Sequence, residues 1–374
     1  MEDKQYDLID VKYHHIVLEG SQYEVGKQLA EFLSEKSETL KGYTSDNVNL
    51  KKLGFADFET LWTYCEECCP GITDEIQGFA DGLDISPKKL PFWNWTFAPS
   101  LGGECSQLAV LPPVTKDHHI YVGRSYEWNH TDEDLKLFTT RVKGKSSHIG
   151  FSCLLFGRHD GLNDKGLLVS MTGGGVFGVP FKQRGPMFWL TIRSLLDHCV
   201  SVETALEQLE TQPMTGYFTL MLVDKNENIA LVEVADEKRS IKRITRDDSK
   251  LYAFSVNHFR QPDMQQINEL NCGIITHSRF REALITKWFH AHAPKIRKED
   301  VRSLFATKHP KGLCNHFYKD GFGTLWSMIF DLTKDSVDVC FSAPTHNEYH
   351  TFDLGSPVGI FEYPTIVPIA KAKL

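Results

Sequence analysis

Cys105 is the residue whose surroundings point most directly to chemistry. It stands in the stretch GGECSQLAV, behind two glycines and an acidic residue and at the start of a run with strand character. A cysteine placed there suits an N-terminal nucleophile, which forms when the chain cuts the peptide bond in front of it. The freed α-amine, with an ordinary pKa of about 8, then serves as the base for the thiol. That mechanism needs no histidine.

A second reading of Cys105 pairs it with a histidine base, as in the papain-type proteases. The signature C-G-[SA]-C-[WY] of those enzymes is absent around Cys105. Because such signatures do not transfer between families, this absence disfavours papain-like proteases alone. A thiol hydrolase with a histidine base therefore stays open as an alternative.

The stretch CEECC, from Cys65 to Cys69, raises the question of a metal or redox site. Its C-x-x-C spacing can bind zinc or form a redox pair, but a zinc site needs four ligands and no second pair follows. Cys65 and Cys69 fall on the helical face of Leu61 and Trp62, where buried thiols are common. Packing is the favoured interpretation, and a metal or redox protein is the weaker hypothesis.

Four polar residues elsewhere have types and positions that could serve a site. Arg124 and Glu127 lie three residues apart in GRSYEWN, near the end of a strand, and Asn257 ends the apolar strand in SVNHF. Arg279 opens a helix in HSRFREALI, where a cation opposes the helix dipole and so indicates an anionic partner. Each position also has an ordinary structural explanation, such as a surface ion pair or a turn cap.

The elements that must position these residues change in character near residue 100. Helical stripes predominate before it, as in 21–33, 58–65 and 72–83, and short β-runs separated by turns follow it. A hairpin in FTLMLVDKNENIALVEVA and pairs of helices come later in the chain. Strands in hairpins with grouped helices predict antiparallel sheets covered by helical layers, which is an α+β fold.

Composition excludes several classes of protein. The 374 residues carry a formal net charge of −8 with interspersed signs, which lacks the basic footprint of nucleic-acid binding. No apolar run reaches the roughly 18 residues that span a bilayer, and the polar start of the chain lacks a secretory signal. Nine scattered cysteines favour reduced thiols over a disulfide framework. We therefore expect a cytoplasmic protein that binds neither nucleic acid nor membranes.

The order of these motifs resembles a known family. Cys105 is followed by GRSYEW, GLNDKGLLVSM, FSVNHF and HSRFREAL, as in the cysteine N-terminal-nucleophile (Ntn) hydrolases. That group includes choloylglycine hydrolases, penicillin V acylases and acyl-coenzyme A:isopenicillin-N acyltransferases. The stretches EGSQYEVGKQLAEFL, CPGITDEIQGFADGLDIS and LCNHFYKDGFGTLWSMIFDL are closer to the acyltransferase branch, and the similarity covers nearly the whole chain.

The resemblance implies a fold and a division of the chain. The fold is a four-layer αββα sandwich in a single domain, with residues 1–104 as a helical pro-segment or α-chain and residues 105–374 as the catalytic β-chain. The reaction is acyl transfer from a linear amide or an acyl thioester through a thioester on Cys105, to water or to an amine. The substrate is a small molecule, no cofactor or metal is implied, and a homo-oligomer is left open.

The resemblance also implies roles for the candidate residues. Cys105 is the nucleophile, and Arg124 favours its thiolate. Glu127 takes the acidic position that holds the α-amine, where the family usually has Asp. Asn257 is the oxyanion-hole amide, alongside backbone donors from the strand end MTGGG. Arg279 is the late arginine of the site, with Arg281 as the second candidate in the same stretch.

One departure from the family pattern bears on self-cleavage. Glu104 stands where the acyltransferases usually have Gly before the scissile bond. A protein on the same fold that is never cut and only binds its ligand is therefore an alternative function.

Overall fold

The computed structural model describes residues 6–34, 44, 47–97, 104–176, 179, 181–182, 184–271 and 273–371. Its strands are β1 Tyr6–Gly20, β2 Glu104–Val110, β3 Tyr121–Trp128, β4 Lys136–Val142, β5 His148–Cys153, β6 Gly157–Arg158, β7 Asp160–Asn163, β8 Leu168–Gly173, β9 Tyr217–Val223, β10 Ile229–Ala235, β11 Lys238–Ile244, β12 Tyr252–Ser255, β13 His316–Phe317, β14 Phe322–Asp331, β15 Ser336–Phe341, β16 Tyr349–Phe352 and β17 Gly359–Ala370. Its α-helices are α1 Gln22–Ser34, α2 Leu50–Leu53, α3 Phe58–Cys68, α4 Ile72–Gly82, α5 Phe92–Thr96, α6 Phe188–His198, α7 Val202–Thr211, α8 Ile275–His292 and α9 Lys298–Ala306.

These strands form two sheets. Within the described residues, the larger sheet has the order β11-β10-β9-β8-β7-β5-β4-β1-β17, with β6 paired to β5. The smaller sheet has the order β12-β2-β3-β14-β15-β16, with β13 paired to β14. Neighbouring strands are antiparallel except for β1 and β4, which are parallel. The strand that begins with Glu104 and Cys105 is thus an inner strand of the smaller sheet, between β12 and β3.

The two sheets face each other and carry helices on their outer sides. Strand β2 packs against β8 across the interface, where Ser170 Oγ donates a hydrogen bond to Gln107 Oε1 over 2.5 Å. Helix α6 covers β6, β7 and β8 of the larger sheet. On the other side, helix α9 covers β3 and β14, and Ile285 and Phe289 of α8 share a core cluster with Leu108. The predicted α+β fold, with two sheets between helical layers, is confirmed.

The N-terminal segment contributes a strand as well as helices. Strand β1 lies between β4 and β17 in the larger sheet. The sequence patterns predict helices for this segment but not this strand, because the first half of β1 is largely exposed and shows no clean alternation. Its register depends on β17, whose residues lie more than 300 positions further along the chain. A pairing that distant leaves no local signal.

Helices α1 and α4 of the same segment cross at two glycines. A Cβ atom at Gly26 would lie 1.9 Å from the carbonyl oxygen of Glu75, and one at Gly78 would lie 2.1 Å from that of Tyr23. Only glycine permits so close an approach of the two backbones. The crossing places the Glu75 side chain in the interior, where it meets helix α6.

Glu75 links the N-terminal segment to the rest of the molecule through a buried ion pair. Its Oε2 atom accepts hydrogen bonds from Arg193 Nη2 and Gln22 Nε2, both at 2.6 Å. Arg193 also contacts Asp197 Oδ1 at 3.0 Å, and the side chains of all three charged residues are at most 1% exposed. Because these charged groups are buried, each depends on the opposite charges of its neighbours to offset the free energy that it loses on leaving water.

The cysteines of the CEECC stretch pack inside the protein. Cys65 and Cys69 have no exposed surface, and Cys68 is 4% exposed. Burial raises the pKa of the Cys68 and Cys69 thiols to about 12. Such thiols stay protonated at neutral pH, which suits packing better than nucleophilic chemistry.

No helix in the described ranges combines the length and the apolar character that crossing a membrane requires.

Candidate active site

Cys105 lies at the start of β2 with its side chain between the two sheets. Cys105, Gln107 and Ala109 point toward the larger sheet, since side chains alternate along a strand. Glu104, Ser106 and Leu108 point the other way, toward α8. Cys105 has no exposed surface. The glycines at positions 102 and 103 lie outside the described residues.

The main chain of Cys105 is held by Asn257. The backbone N–H of Cys105 donates to Asn257 Oδ1 over 2.9 Å, and Asn257 Nδ2 donates to the carbonyl oxygen of Gly173 over 3.0 Å. Asn257 follows β12 by two residues, and β12 pairs with β2 through Ser255 opposite Gln107. This register carries the amide directly to the Cys105 nitrogen.

Arg281 contacts the other side of the same residue. Its Nη1 donates to the Cys105 carbonyl oxygen over 2.5 Å and to Ser106 Oγ over 2.9 Å. Its Nη2 donates to Asn257 Oδ1 over 2.7 Å. A buried guanidinium thus connects the backbone of Cys105 with the asparagine that holds its nitrogen.

The structure brings Arg281, rather than the expected Arg279, to Cys105. Residues Ser278, Arg281 and Ile285 form the buried face of α8, at helical spacing. Arg279 is exposed and lines a surface cavity with Arg260. Two residues along a helix amount to a turn of about 200°, so only one of these arginines can face the site. The predicted Arg279 lies on the opposite face of α8 from Cys105, and Arg281, the second candidate, contacts Cys105.

Arg124 lies on the thiol side of β3. Its Nε donates to Asp160 Oδ2 over 2.5 Å, and its Nη1 donates to the carbonyl oxygen of Met171. Burial raises the pKa of the Cys105 thiol to about 11, while Arg124 and a hydrogen bond from the Gly173 backbone act in the opposite direction. The thiol is therefore protonated at neutral pH in the uncut chain, and nucleophilic attack requires a base.

Glu127 lies opposite Glu104 in the β2–β3 pairing and is fully buried. Burial raises the pKa of Glu127 to about 7, and the charge of Glu104 adds to the rise, whereas Arg281 and Arg124 lower it. Its Oε1 accepts a long hydrogen bond from Thr324 Oγ1 at 3.4 Å. Because Arg124 faces the thiol side of β3, Glu127 faces the side of Glu104.

This raised pKa makes the stability of the uncut chain pH-dependent. As the pH rises from 4.5 to 7, Glu127 ionises in the unfolded chain but keeps its proton in the folded one. The free energy of unfolding should therefore fall over this window, by on the order of 3 kcal/mol from this group. Glu127→Gln should remove that part of the fall. Urea titrations at several pH values check this in chains carrying Cys105→Ala, and parallel profiles for the two chains would contradict it.

One contact beside Cys105 involves a residue outside the predicted set. Glu104 is buried, and its Oε2 accepts a hydrogen bond from His277 Nδ1 over 2.7 Å. Glu104 is a predicted departure from the family pattern, whereas no sequence motif assigns a role to His277. The usable signal was spacing, because His277 and Arg281 stand four residues apart on one helix and so share a face.

Among the described residues, no group of three or more His, Cys, Asp or Glu side chains could hold a metal ion. The residues that shift the pKa of the Cys105 thiol through their charges are Arg124, Glu127 and Arg281. Arg124 and Arg281 thus offset part of the effect of burial on the Cys105 thiol, and Asn257 holds the Cys105 nitrogen.

A protein-family model matches the sequence of this chain. Residues 114–346 match the model of the acyl-coenzyme A:6-aminopenicillanic acid acyl-transferase family, which covers more than half of the chain. The chain belongs to this family. The matched range contains Arg124, Glu127, Asn257 and Arg281 and begins nine residues after Cys105. The resemblance to the Ntn hydrolases is confirmed at this level, and membership supports amide hydrolase or acyltransferase activity.

Solved structures match this chain at low identity and with TM-scores below 0.5. Penicillin V acylase from Agrobacterium tumefaciens is 14% identical, with 69% of this chain and 90% of that chain covered and a TM-score of 0.44. The R18L variant of conjugated bile acid hydrolase from Clostridium perfringens is 13% identical, with 72% and 99% covered and a TM-score of 0.46. The Caenorhabditis elegans ortholog of N-acylethanolamine-hydrolyzing acid amidase is 13% identical, with 61% and 93% covered and a TM-score of 0.44. A comparison with curated protein sequences gives no match. The assignment rests on the family match.

Proposed function

We propose that this member of the acyl-transferase family cuts itself between Glu104 and Cys105 and then works as an N-terminal cysteine amidohydrolase or acyltransferase. Its substrates are small molecules with a linear amide C–N bond or an acyl thioester. One observation carries the proposal: the backbone nitrogen of Cys105 donates to Asn257 Oδ1 over 2.9 Å. A thiol enzyme with a histidine base has no need to bind that nitrogen, whereas a free-amine mechanism depends on its position.

The self-cleavage step uses the groups around the scissile bond. The Cys105 sulfur attacks the carbonyl carbon of Glu104, forming a C–S bond, and the C–N bond breaks as the nitrogen takes up the proton of the thiol. Water then hydrolyses the thioester, which releases the Glu104 carboxylate and restores the thiol. Arg281 donates to the Cys105 carbonyl oxygen and so holds the strand in place while the bond in front of it changes.

In the mature enzyme, the released amine of Cys105 takes the proton of its own thiol, and the thiolate attacks the substrate carbonyl. Arg124 stabilises the thiolate, and Asn257 Nδ2 donates to the oxyanion once it releases the carbonyl oxygen of Gly173. Glu127 holds the amine in its ammonium form. The leaving amine or thiol takes the proton from this ammonium group and departs, and water or an acceptor amine then releases the acyl group from Cys105.

The two fragments, residues 1–104 and 105–374, stay together as one domain in this proposal. Strand β1 from the first fragment is paired on both sides by strands of the second, and Glu75 is bound to Arg193. The eight cysteines in the described part of the chain are free and buried, which favours action in a reducing compartment such as the cytoplasm.

Intact mass spectrometry of the purified wild-type protein tests self-cleavage. Two fragments that divide between Glu104 and Cys105 support the proposal. A wild-type chain that stays uncut and yet hydrolyses amides would overturn the free-amine mechanism. An uncut chain that binds acyl amides without turning them over would instead favour the unprocessed binding protein.

The two arginines of α8 offer a matched comparison. Arg281→Met should lower kcat/KM by about 100-fold or more, because it removes charge-assisted hydrogen bonds to Cys105 and Asn257. Arg279→Met should change kcat/KM by less than about 2-fold, because that side chain is exposed and faces away. Steady-state kinetics of both variants, with circular dichroism as a check of folding, decides the point. Equal losses would show that position on the helix face is irrelevant.

A further inference from the structure

The Glu104 side chain occupies a small basic pocket on the α8 side of β2. Glu104 is 4% exposed, and its Oε2 lies 2.7 Å from His277 Nδ1 and 3.4 Å from Arg281 Nη2. Burial raises the pKa of this carboxyl, but His277, Arg281 and His309 outweigh burial and hold its pKa below the ordinary value. The pocket thus stabilises a carboxylate. The carbon of this carboxylate, Cδ of Glu104, is four carbons from the Glu104 carbonyl carbon that the thiol attacks in self-cleavage.

Aromatic rings surround the mouth of this pocket. The ring of His277 lies 4.7 Å from that of His309 and 5.7 Å from that of Phe317, and Phe280 lies 5.0 Å from His309. Phe280 is 43% exposed and Phe317 is 39% exposed, although both are large apolar side chains. The side chain of His277 itself is 22% exposed. Solvent therefore reaches the basic pocket between exposed aromatic side chains.

The chemistry of the proposed function connects this pocket with substrate binding. During self-cleavage, the acyl group on the Cys105 sulfur is that of Glu104, and during turnover it is that of the substrate. Both thioesters are attached to the same sulfur. In this inference, the acyl chain of the substrate follows the direction that the Glu104 side chain takes from the carbonyl carbon. The pocket that holds the Glu104 side chain is vacated when the new C-terminus of the first fragment moves away.

We propose that this pocket, formed by His277 and Arg281, binds the acyl group of the substrate and selects acyl donors that carry a carboxylate about four carbons from the reacting carbonyl. This inference rests on the proposed function. A glutaryl group reproduces the glutamate side chain atom for atom. A neutral acyl chain of the same length would displace water from the donors of His277 and Arg281 without supplying an acceptor, which is costly.

A pair of substrates that differ only at the chain end tests the proposal. Glutaryl-4-nitroanilide and pentanoyl-4-nitroanilide have acyl chains of equal length, and only the first ends in a carboxylate. With the matured wild-type enzyme we expect kcat/KM for the glutaryl substrate to be at least about 10-fold higher. Free glutarate should compete with the substrate, and free pentanoate should not do so at the same concentration.

A substitution in the pocket tests whether His277 causes the preference for the glutaryl substrate. His277→Phe keeps a ring at the mouth but removes the donor, and it should lower kcat/KM for the glutaryl substrate about 10-fold while leaving the pentanoyl substrate within 2-fold. His290→Gln is the control, because His290 is exposed on the same helix, and it should change neither value. If His277→Phe fails to mature, the wild-type preference and the glutarate competition still decide the question.

The outcomes separate this inference from the proposed function. Equal kcat/KM for the two substrates, without competition by glutarate, would overturn the pocket assignment and leave the cysteine mechanism intact. A wild-type preference that His277→Phe does not reduce would also overturn the assignment. If neither substrate nor any other acyl amide is turned over and the chain stays uncut, the proposed function fails and the inference falls with it.

Discussion

Replacing Cys105 with alanine is expected to leave the chain as one piece and to lower amidase activity by more than about 1,000-fold. The substitution removes the sulfur that attacks both the Glu104 carbonyl and the substrate carbonyl, and no neighbouring group can form the thioester in its place. Intact mass spectrometry reads the first effect, and release of amine from acyl amides reads the second. The fold should persist, because alanine fits the space of a cysteine that is already buried.

Cys65→Ala is the matched control for this prediction. Cys65 is equally buried but lies on helix α3, outside the site, and its removal should leave both cleavage and specific activity unchanged. Loss of activity in this variant together with a bound metal would revive the metal interpretation of the CEECC stretch. Residual cleavage in Cys105→Ala would show that another group cuts the chain.

Glu75→Ala is expected to lower the free energy of unfolding by about 3–5 kcal/mol, which is the largest stability effect predicted for this protein. The Glu75 carboxylate contacts the Arg193 guanidinium at 2.6 Å with neither side chain exposed by more than 1%. Removing one member of such a pair leaves a buried charge short of compensation. Arg193 keeps its contact to Asp197, but the same Asp197 carboxylate also contacts Lys145 and His148 and so compensates the charge of Arg193 only in part.

Chemical denaturation in the Cys105→Ala background measures this effect on a single uncut chain. Glu67→Ala is the control, because Glu67 is exposed on the neighbouring helix and should contribute less than about 0.5 kcal/mol. If the wild-type protein is cleaved as proposed, the same ion pair joins the two fragments, and Glu75→Ala should then also promote their separation. A loss below 1 kcal/mol would show that water or Gln22 compensates Arg193.

The sequence indicated the general fold, and Cys105 as the candidate nucleophile, because both depend on local patterns. A cysteine behind two glycines at the start of a strand is a short-range feature, and so are the capped helices and the strands of two-residue period that define the α+β class. Arg124 and Asn257, which the structure places near Cys105, were candidates for the same reason, since each stands at a fixed place within or just after a readable strand. The order of the motifs along the chain was enough to relate them to one family.

The choice between Arg279 and Arg281 required the tertiary structure. A sequence motif records that two arginines stand near the start of a helix, but the face that each occupies matters only once the helix is packed. The apolar periodicity of α8 is weak, because its buried face includes Ser278 and Arg281. Without a clear apolar stripe, nothing in the sequence marks which arginine turns inward.

Long-range pairing decided the rest. Strand β1 owes its place to β17, and the contact of Glu104 with His277 joins residues 173 positions apart. Such contacts are fixed by how the sheets and helices stack. Nothing in the sequence near either residue indicates its distant partner. Local propensities therefore determined most of the elements other than β1, and where the cysteine stands. Packing determined which charges meet around it, because burial turns ordinary surface residue types into a compensated site.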